Sequence, residues 1–403
     1  MTDRKAQSIS RLVERAEATE EMSRADADAI LKAHQQIELL GRSEFSVASH
    51  EAILMRMCTL AKRHGGLADA LENRNAAEAL VRAINRDYDN PETNKRARTA
   101  LRTFGRLATD GDDVPDSLDW VPSSYPSTYD PSPNPGEMYR WEDHVKPMIE
   151  AAQNARDEAL VALCWDLGPR TSELYELQVN DLTDSEYGLR VHIENGKNGS
   201  RTPTLIPSTP YVRGWLQRHP GDGDDYLWTR LSRPDRVSKQ MLRKALRELA
   251  DRADMTPPSK PTPTRFRKSS ASYLASQGVS QPHLEDHHGW VRGSDQAARY
   301  IAVFGDAADR AIASAHGADV EVDAGPDLAP LECPRCGRQT PRDEDLCVWC
   351  GAAQHPEAAE AAAETDEALK RELARLDGEQ ARALLKLDDI LDDPALRAAL
   401  LED

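Results

Sequence analysis

The stretch Asp166-Leu167-Gly168-Pro169-Arg170-Thr171-Ser172-Glu173-Leu174 marks a break between two helices. Residues 155–168 are mainly apolar, which predicts a buried helix that ends at Gly168-Pro169, because proline brings no backbone donor and restricts the residue before it. Thr171-Ser172-Glu173-Leu174 then has the Ser/Thr and Glu types that favour a helix start. Arg170 falls at the junction.

Working outward, Asn195-Gly196-Lys197-Asn198-Gly199 lies between two short β-type runs, residues 189–193 and 204–206. That pattern signals a hairpin with Lys197 at the tip of its turn. Further on come Phe266-Arg267-Lys268-Ser269, Gly289-Trp290 and Ala298-Arg299-Tyr300-Ile301. Two arginines can clamp a phosphodiester, a lysine can protonate a leaving oxygen, and a tyrosine can attack phosphorus. That chemistry needs no metal and no nucleotide. A basic amphipathic helix is expected over 238–252, carrying Arg243, others over 268–277 and over 294–315, the last carrying Tyr300.

The chain has 403 residues, enough for two or three domains. It has no apolar run long enough to cross a membrane and no apolar stretch at its N-terminus, so the expectation is a cytoplasmic protein. The net charge of −18 looks unsuited to a nucleic-acid partner. Residues 319–403, however, hold 22 Asp+Glu against 9 Lys+Arg, a balance of −13 that leaves only −5 for residues 1–318. Residues 190–252 carry 13 Lys+Arg against 7 Asp+Glu, so the acidity belongs to the tail and does not exclude double-stranded DNA. Scarce lysine beside abundant Asp and Glu suggests a halophile's high-salt cytoplasm, with GC-rich codon usage as the plain alternative.

Residues 24–110 read as a run of short helices, broken at Gly65-Gly66, with Pro91-Glu92 opening a helix that carries Lys95, Arg96, Arg98, Arg102 and Arg106. Its basic face suits phosphate contact. Pro115, Pro122, Pro126, Pro131, Pro133 and Pro135 make residues 114–136 a stiff linker. The domain expectation is therefore a helical DNA-binding domain over 1–113, that linker, and a larger domain over 137–318, followed by an acidic stretch.

The ordered set Arg170, Lys197, Arg267, Trp290 and Tyr300 resembles the tyrosine recombinases of the phage-integrase family. The Gly168 to Leu174 box resembles that of the family's first catalytic arginine, and the box around Arg267, with Gly278 eleven residues on, that of its second. The resemblance covers roughly residues 24–318. It implies a mainly α fold with a small β-hairpin sheet, made of an N-terminal helical, SAM-like core-binding domain and a catalytic domain. It also implies a tetramer on DNA and a 3′-phosphotyrosyl intermediate formed by Tyr300. Arg170 and Arg267 would neutralise the non-bridging oxygens, Lys197 would protonate the departing 5′-oxygen, and Trp290 would contact the phosphate. Lys268 joins Lys95, Arg96, Arg98, Arg102 and Arg243 as an expected DNA contact. Thr264 stands where the family has a histidine, and threonine is no general base at neutral pH. The Tyr300 proton must then go to water, to the phosphate or to a neighbour, for which His287 and His288 are candidates. The same departure raises the alternative of a catalytically impaired DNA-binding or regulatory protein.

Past residue 330, Cys333, Cys336, Cys347 and Cys350 form a C-x2-C-x10-C-x2-C pattern, which predicts a structural zinc ribbon over 330–352. Cys58 and Cys164 sit alone in apolar helices and are expected in the core. Residues 356–403 form an acidic helical tail with Leu369, Leu373, Leu376, Leu384, Leu387 and Leu391 on one face. Residues 303–316 resemble the helix that family members insert into a neighbouring protomer.

Overall fold

The computed structural model describes residues 2–109, 112–130, 132–194, 196–304, 313, 316–317 and 327–373. The chain divides into two compact units, Met1–Pro131 and Ser132–Asp403. The first is all helical: α1 (Thr2–Ala18), α2 (Arg24–Leu40), α3 (Val47–His64), α4 (Leu67–Ala70), α5 (Arg74–Asp87), α6 (Pro91–Ala108) and α7 (Asp116–Asp119). Side chains of Ser23, Ser46, Asn73 and Asn90 accept backbone N–H bonds at the starts of α2, α3, α5 and α6, as capping residues do. The Gly65-Gly66 break is held from below: the buried Asp26 carboxylate accepts from the N–H groups of Gly66 (3.0 Å) and Ala68 (2.8 Å). Cys58 lies in this core, as expected.

Two features differ from the expectation. Helix α1 extends the bundle at its start, burying Leu12 and Ala16. Residues 114–121 are not a spacer: Leu118 and Val121 are buried in the helical core, and Ser117 Oγ donates to the Ala70 and Leu71 carbonyls, 2.8 Å each. Proline density signalled stiffness but could not show that this stiff segment has a surface to lie on.

In the second unit a π-helical turn (Trp141–Val145) runs into α8 (Lys146–Glu150), followed by α9 (Ala155–Leu167) and α10 (Thr171–Glu176). Strands β1 (Leu182–Ser185), β2 (Gly188–Val191) and β3 (Thr204–Leu205) make one antiparallel sheet, with Leu182 opposite Val191 and Leu189 opposite Leu205. Strand β1 adds an edge to the expected hairpin. Helices α11 (Thr209–Arg218), α12 (Lys239–Arg252), α13 (Pro263–Ser276), α14 (Gln281–His288) and α15 (Asp295–Phe304) follow. Helix α13 starts earlier than expected because Thr262 caps it, accepting from the Arg265 N–H, and Pro263 fits a first helical turn.

Helix α9 is the centre of this unit, with Leu160, Val161, Leu163, Cys164, Trp165 and Leu167 all buried. A helix apolar all round must be enclosed on every side. Asp166 is buried with them; its carboxylate accepts from the N–H groups of Ile206 (2.8 Å) and Ser208 (3.1 Å) and the Ser208 hydroxyl (2.7 Å), tying α9 to the start of α11.

A two-stranded ribbon, β4 (Leu331–Glu332) with β5 (Gln339–Thr340), carries the four outer cysteines. It rests on the same unit through Lys146 Nζ to Asp343 (2.7 Å) and Arg213 to Gln339 (3.3 Å). Helix α16 (Pro356–Leu373) closes the described chain; Leu376, Leu384, Leu387, Leu391 and most of 303–316 lie outside the described residues. Among the described residues, no helix is long and apolar enough to cross a membrane.

Candidate active site

Gly168 ends α9 with φ +53°, and a Cβ there would stand 2.9 Å from the His288 ring and 3.1 Å from the Arg267 Cα. Only glycine combines that backbone with so close an approach. The turn sets Arg170 at the start of α10, where the buried Glu173 holds it twice: one carboxylate oxygen accepts from the Arg170 N–H (2.9 Å), the other from its Nη1 (2.6 Å). The first oxygen also takes Arg201 Nη2 at 2.6 Å. Burial alone would raise Glu173, but the charges of Arg201 and Arg170 and the backbone bond outweigh it and hold the carboxyl below its usual range.

The C-terminus of α14 organises the rest. The last carbonyls of a helix have no partner within it and form its negative end. Here three successive carbonyls each receive an arginine: His287 O from Arg201, His288 O from Arg267, and Gly289 O from Arg170 at 2.8 Å. Gly289 O also accepts from Asn198 Nδ2 (3.0 Å), beside Lys197 in the hairpin turn. Arg267 makes a second bond to Gly168 O (2.9 Å). Burial, then the charges of Arg170 and Arg201, push the Arg267 guanidinium down to about 9, still charged at neutral pH. Three guanidiniums face one carboxylate, so the cluster carries excess positive charge suited to an anion.

Trp290 follows directly. Its ring stacks on that of Tyr300, centroids 5.5 Å apart, and the Arg267 guanidinium lies 5.3 Å from its centroid. Tyr300 is buried, and that burial pushes its phenol up to about 12, opposed by Arg267, Arg265 and Arg299. Lys197 stands exposed at the hairpin tip. Arg170, Arg267, Trp290 and Tyr300 thus gather round one helix end, and the Lys197 turn is tied to it through Asn198.

Thr264 is exposed, one turn before the buried Arg267. Neither neighbouring histidine hydrogen-bonds Tyr300 among the described residues. His287 Nε2 donates to the Asp166 carbonyl (3.0 Å), and burial pushes the ring down to about 4. His288 is fully enclosed and held well below its ordinary value by burial, then by His287 and the arginines.

The expected DNA contacts divide. Lys95 Nζ sits 3.9 Å over the Tyr125 ring, Arg96 pairs with Glu92 (3.2 Å), and Arg98 donates to Ser124 O (3.2 Å). Arg102 is engaged inside its own unit, bonding the carbonyls of Asp119 and Val121 and pairing with the Asp119 carboxylate (2.9 Å). Arg243 is exposed on α12, while Lys268 is half-buried on α13. Arg201 escaped the sequence reading, because its partners lie 28 residues before it and 86 after it. No local pattern could have joined them.

The sulfurs of Cys333, Cys336, Cys347 and Cys350 all lie within 4.8 Å of one another, and two pairs, Cys333 with Cys350 and Cys336 with Cys347, stand 3.7 Å apart. Tetrahedral zinc–thiolate bonds of about 2.3 Å put the sulfurs about 3.8 Å apart. A disulfide needs about 2.05 Å. The knuckles match each other: the N–H groups of Gly337 and Gly351, both left-handed, donate to the carbonyls of Cys333 and Cys347. The donor set fits a metal ion.

Residues 141–305 match the phage integrase family. Among curated proteins, the tyrosine recombinase XerA of Pyrococcus furiosus is 27% identical over 142 residues, which cover 34% of this chain and 48% of the relative. The XerA of Pyrococcus horikoshii is 27% identical over 143 residues, 34% and 47%. The chain spans about half the length of the curated relatives it matches. Among solved structures, the Tn1549 transposon integrase in complex with transposon right end DNA aligns with a TM-score of 0.53 at 14% identity, over 72% of this chain and 99% of that one. A lambda integrase dimer bound to a COC′ core site aligns with a TM-score of 0.52 at 12% identity, over 68% and 77%. These two speak for the fold. Together, the family match and the curated relatives support the tyrosine recombinase family, also called the phage integrase family, for residues 141–305.

Proposed function

We propose that the chain is a site-specific DNA recombinase that cuts and rejoins double-stranded DNA through a 3′-phosphotyrosyl intermediate. The observation that carries this reading is the convergence of Arg170, Arg267 and the Trp290–Tyr300 stack on the C-terminus of α14. Tyr300 Oη gives its proton to water and attacks phosphorus. The P–O5′ bond breaks as the Lys197 ammonium protonates the leaving oxygen, which departs as a 5′-hydroxyl. Arg170 and Arg267 neutralise the non-bridging oxygens. The bond energy is kept in the phosphotyrosine, so a 5′-hydroxyl can reverse the step and rejoin the strand.

In this reading the enzyme works as a tetramer on DNA in the cytoplasm, and the 1–113 helical region contributes DNA contacts. Zinc, held by the four outer cysteines, folds the ribbon and takes no part in the chemistry. The acid-rich composition fits a high-salt cytoplasm, where counterion release contributes little and hydrogen bonds carry more of the binding. The impaired, DNA-binding-only alternative draws on Thr264.

One experiment separates them. The protein is incubated with a pool of nicked duplexes bearing randomised inverted repeats, and covalent adducts are captured under denaturing conditions. An adduct with wild type and none with Tyr300→Phe supports the recombinase. DNA binding without any adduct supports the alternative, and an adduct that persists in Tyr300→Phe refutes the assignment of the nucleophile.

A further inference from the structure

The Arg201 side chain is only 7% exposed, lies outside the five residues assigned above, and joins three elements at once. Its Nη2 pairs with Glu173 at 2.6 Å, its Nη1 donates to His287 O, and its backbone closes the hairpin through paired bonds with Ile193, 2.9 and 3.0 Å. Glu173 in turn holds Arg170, and His287 belongs to the α14 end that also anchors Arg267. The fit is close at the helix end: a Cβ on Gly289 would meet the Arg201 side chain at 2.8 Å.

The two ends of this arrangement are held unequally. Arg170 keeps three bonds that do not involve Arg201: its N–H and Nη1 to Glu173, and its Nη2 to Gly289 O. The lysine turn is exposed over residues 197–200, and among the described residues its bond outside the hairpin is that of Asn198 to Gly289 O, also exposed. Losing Arg201 therefore leaves the arginine clamp tied by three bonds but the turn that carries Lys197 by one exposed bond. A buried, charge-assisted double anchor at the base of a loop limits how far its tip can wander.

We propose that Arg201 is a positioning residue that latches the Lys197 hairpin to the phosphate clamp, so that the lysine reaches the leaving oxygen. The inference rests on the recombinase reading and names a residue through which its general acid is set.

The test uses the full-length protein and the duplex captured from the randomised pool, in two forms. One is ordinary DNA; the other has sulfur in place of the bridging 5′-oxygen at the cut. A thiolate leaves without being protonated, so the sulfur form has no need of a general acid. Lys197→Ala serves as the reference: it should slow adduct formation about 100-fold on ordinary DNA and far less on the sulfur form. Arg201→Met is expected to reproduce that split. Arg201→Lys, which keeps the charge but cannot reach both Glu173 and His287 O, should give the same split at a smaller factor. Equal losses on both forms in both variants, or no loss at all, overturn the proposal. The recombinase reading fails separately, if wild type forms no adduct with the pool or Tyr300→Phe still does.

Discussion

The indole of Trp290 lies nearly parallel to the phenol of Tyr300, the two planes inclined by only 11°. The same indole also meets His288, ring centroids 4.9 Å apart, and the Arg267 guanidinium lies 5.3 Å from its centroid. One side chain thus spans from the proposed nucleophile to a proposed phosphate ligand. Aromatic stacking contributes about 0.5–1.5 kcal/mol beyond area burial, and a flat cation contact somewhat more.

Removing that spacer is expected to misplace Tyr300 rather than unfold the unit. Trp290→Ala should lower the rate of adduct formation about 10-fold or more, while Trp290→Phe, which keeps a ring to stack on, should retain most of it. Single-turnover assays on the captured duplex, with circular dichroism to verify the fold, make the comparison. Equal rates for the two variants would deny the stack any role.

His288 is enclosed and makes no hydrogen bond through either ring nitrogen. Unpaired buried polar atoms cost about 1–3 kcal/mol. His288→Leu should therefore raise the unfolding free energy by about 1–2 kcal/mol at pH 8. The gap should widen in acid. The folded ring is held well below its ordinary value, so its contribution to stability is present above about pH 6.5 and lost as pH falls from there. Denaturant melts at pH 8 and pH 5.5 give both numbers.

Asp166 has the opposite sign. Burial raises its carboxyl to about 6, despite the donors from Ser208 and Ile206 that favour the charged form. A raised acid contributes stability that is present below about pH 4 and lost as pH rises through about 6. The wild-type stability minus that of Asp166→Asn should thus fall by about 2–3 kcal/mol between pH 4 and pH 7. Glu173, held low in both proteins, largely cancels from the difference. A difference that stays flat across this window would show that burial leaves the Asp166 carboxyl near its ordinary value.

The ribbon is expected to bind one zinc ion per chain by elemental analysis, and Cys347→Ser to lose it. Chelation should expose residues 331–354 to protease before the rest of the second unit, because the ribbon has short strands and its own four-sulfur core. Protease resistance that survives full removal of the metal would mean that packing against Lys146 and Arg213 suffices to hold the ribbon.

Much of this was legible in the chain. The break at Gly168-Pro169, the hairpin round Lys197 and the cysteine spacing each depend on neighbours a few residues apart, and local backbone chemistry sets them. The helical class followed from apolar periodicity in the same way. Where the reading missed, the reason was a surface rather than a pattern. Residues 114–121 look like spacer until the groove they fill is known, and the Asp119 and Val121 carbonyls that Arg102 bonds cannot be read from its own helix.

The sequence by itself determined which residue types could serve a phosphodiester and in what order they come, because composition and spacing carry that directly. Tertiary structure alone decided their alignment. Three arginines from positions 170, 201 and 267 meet the bare carbonyls of one helix end, and an unpaired helix terminus has to be answered by whatever donors folding brings to it.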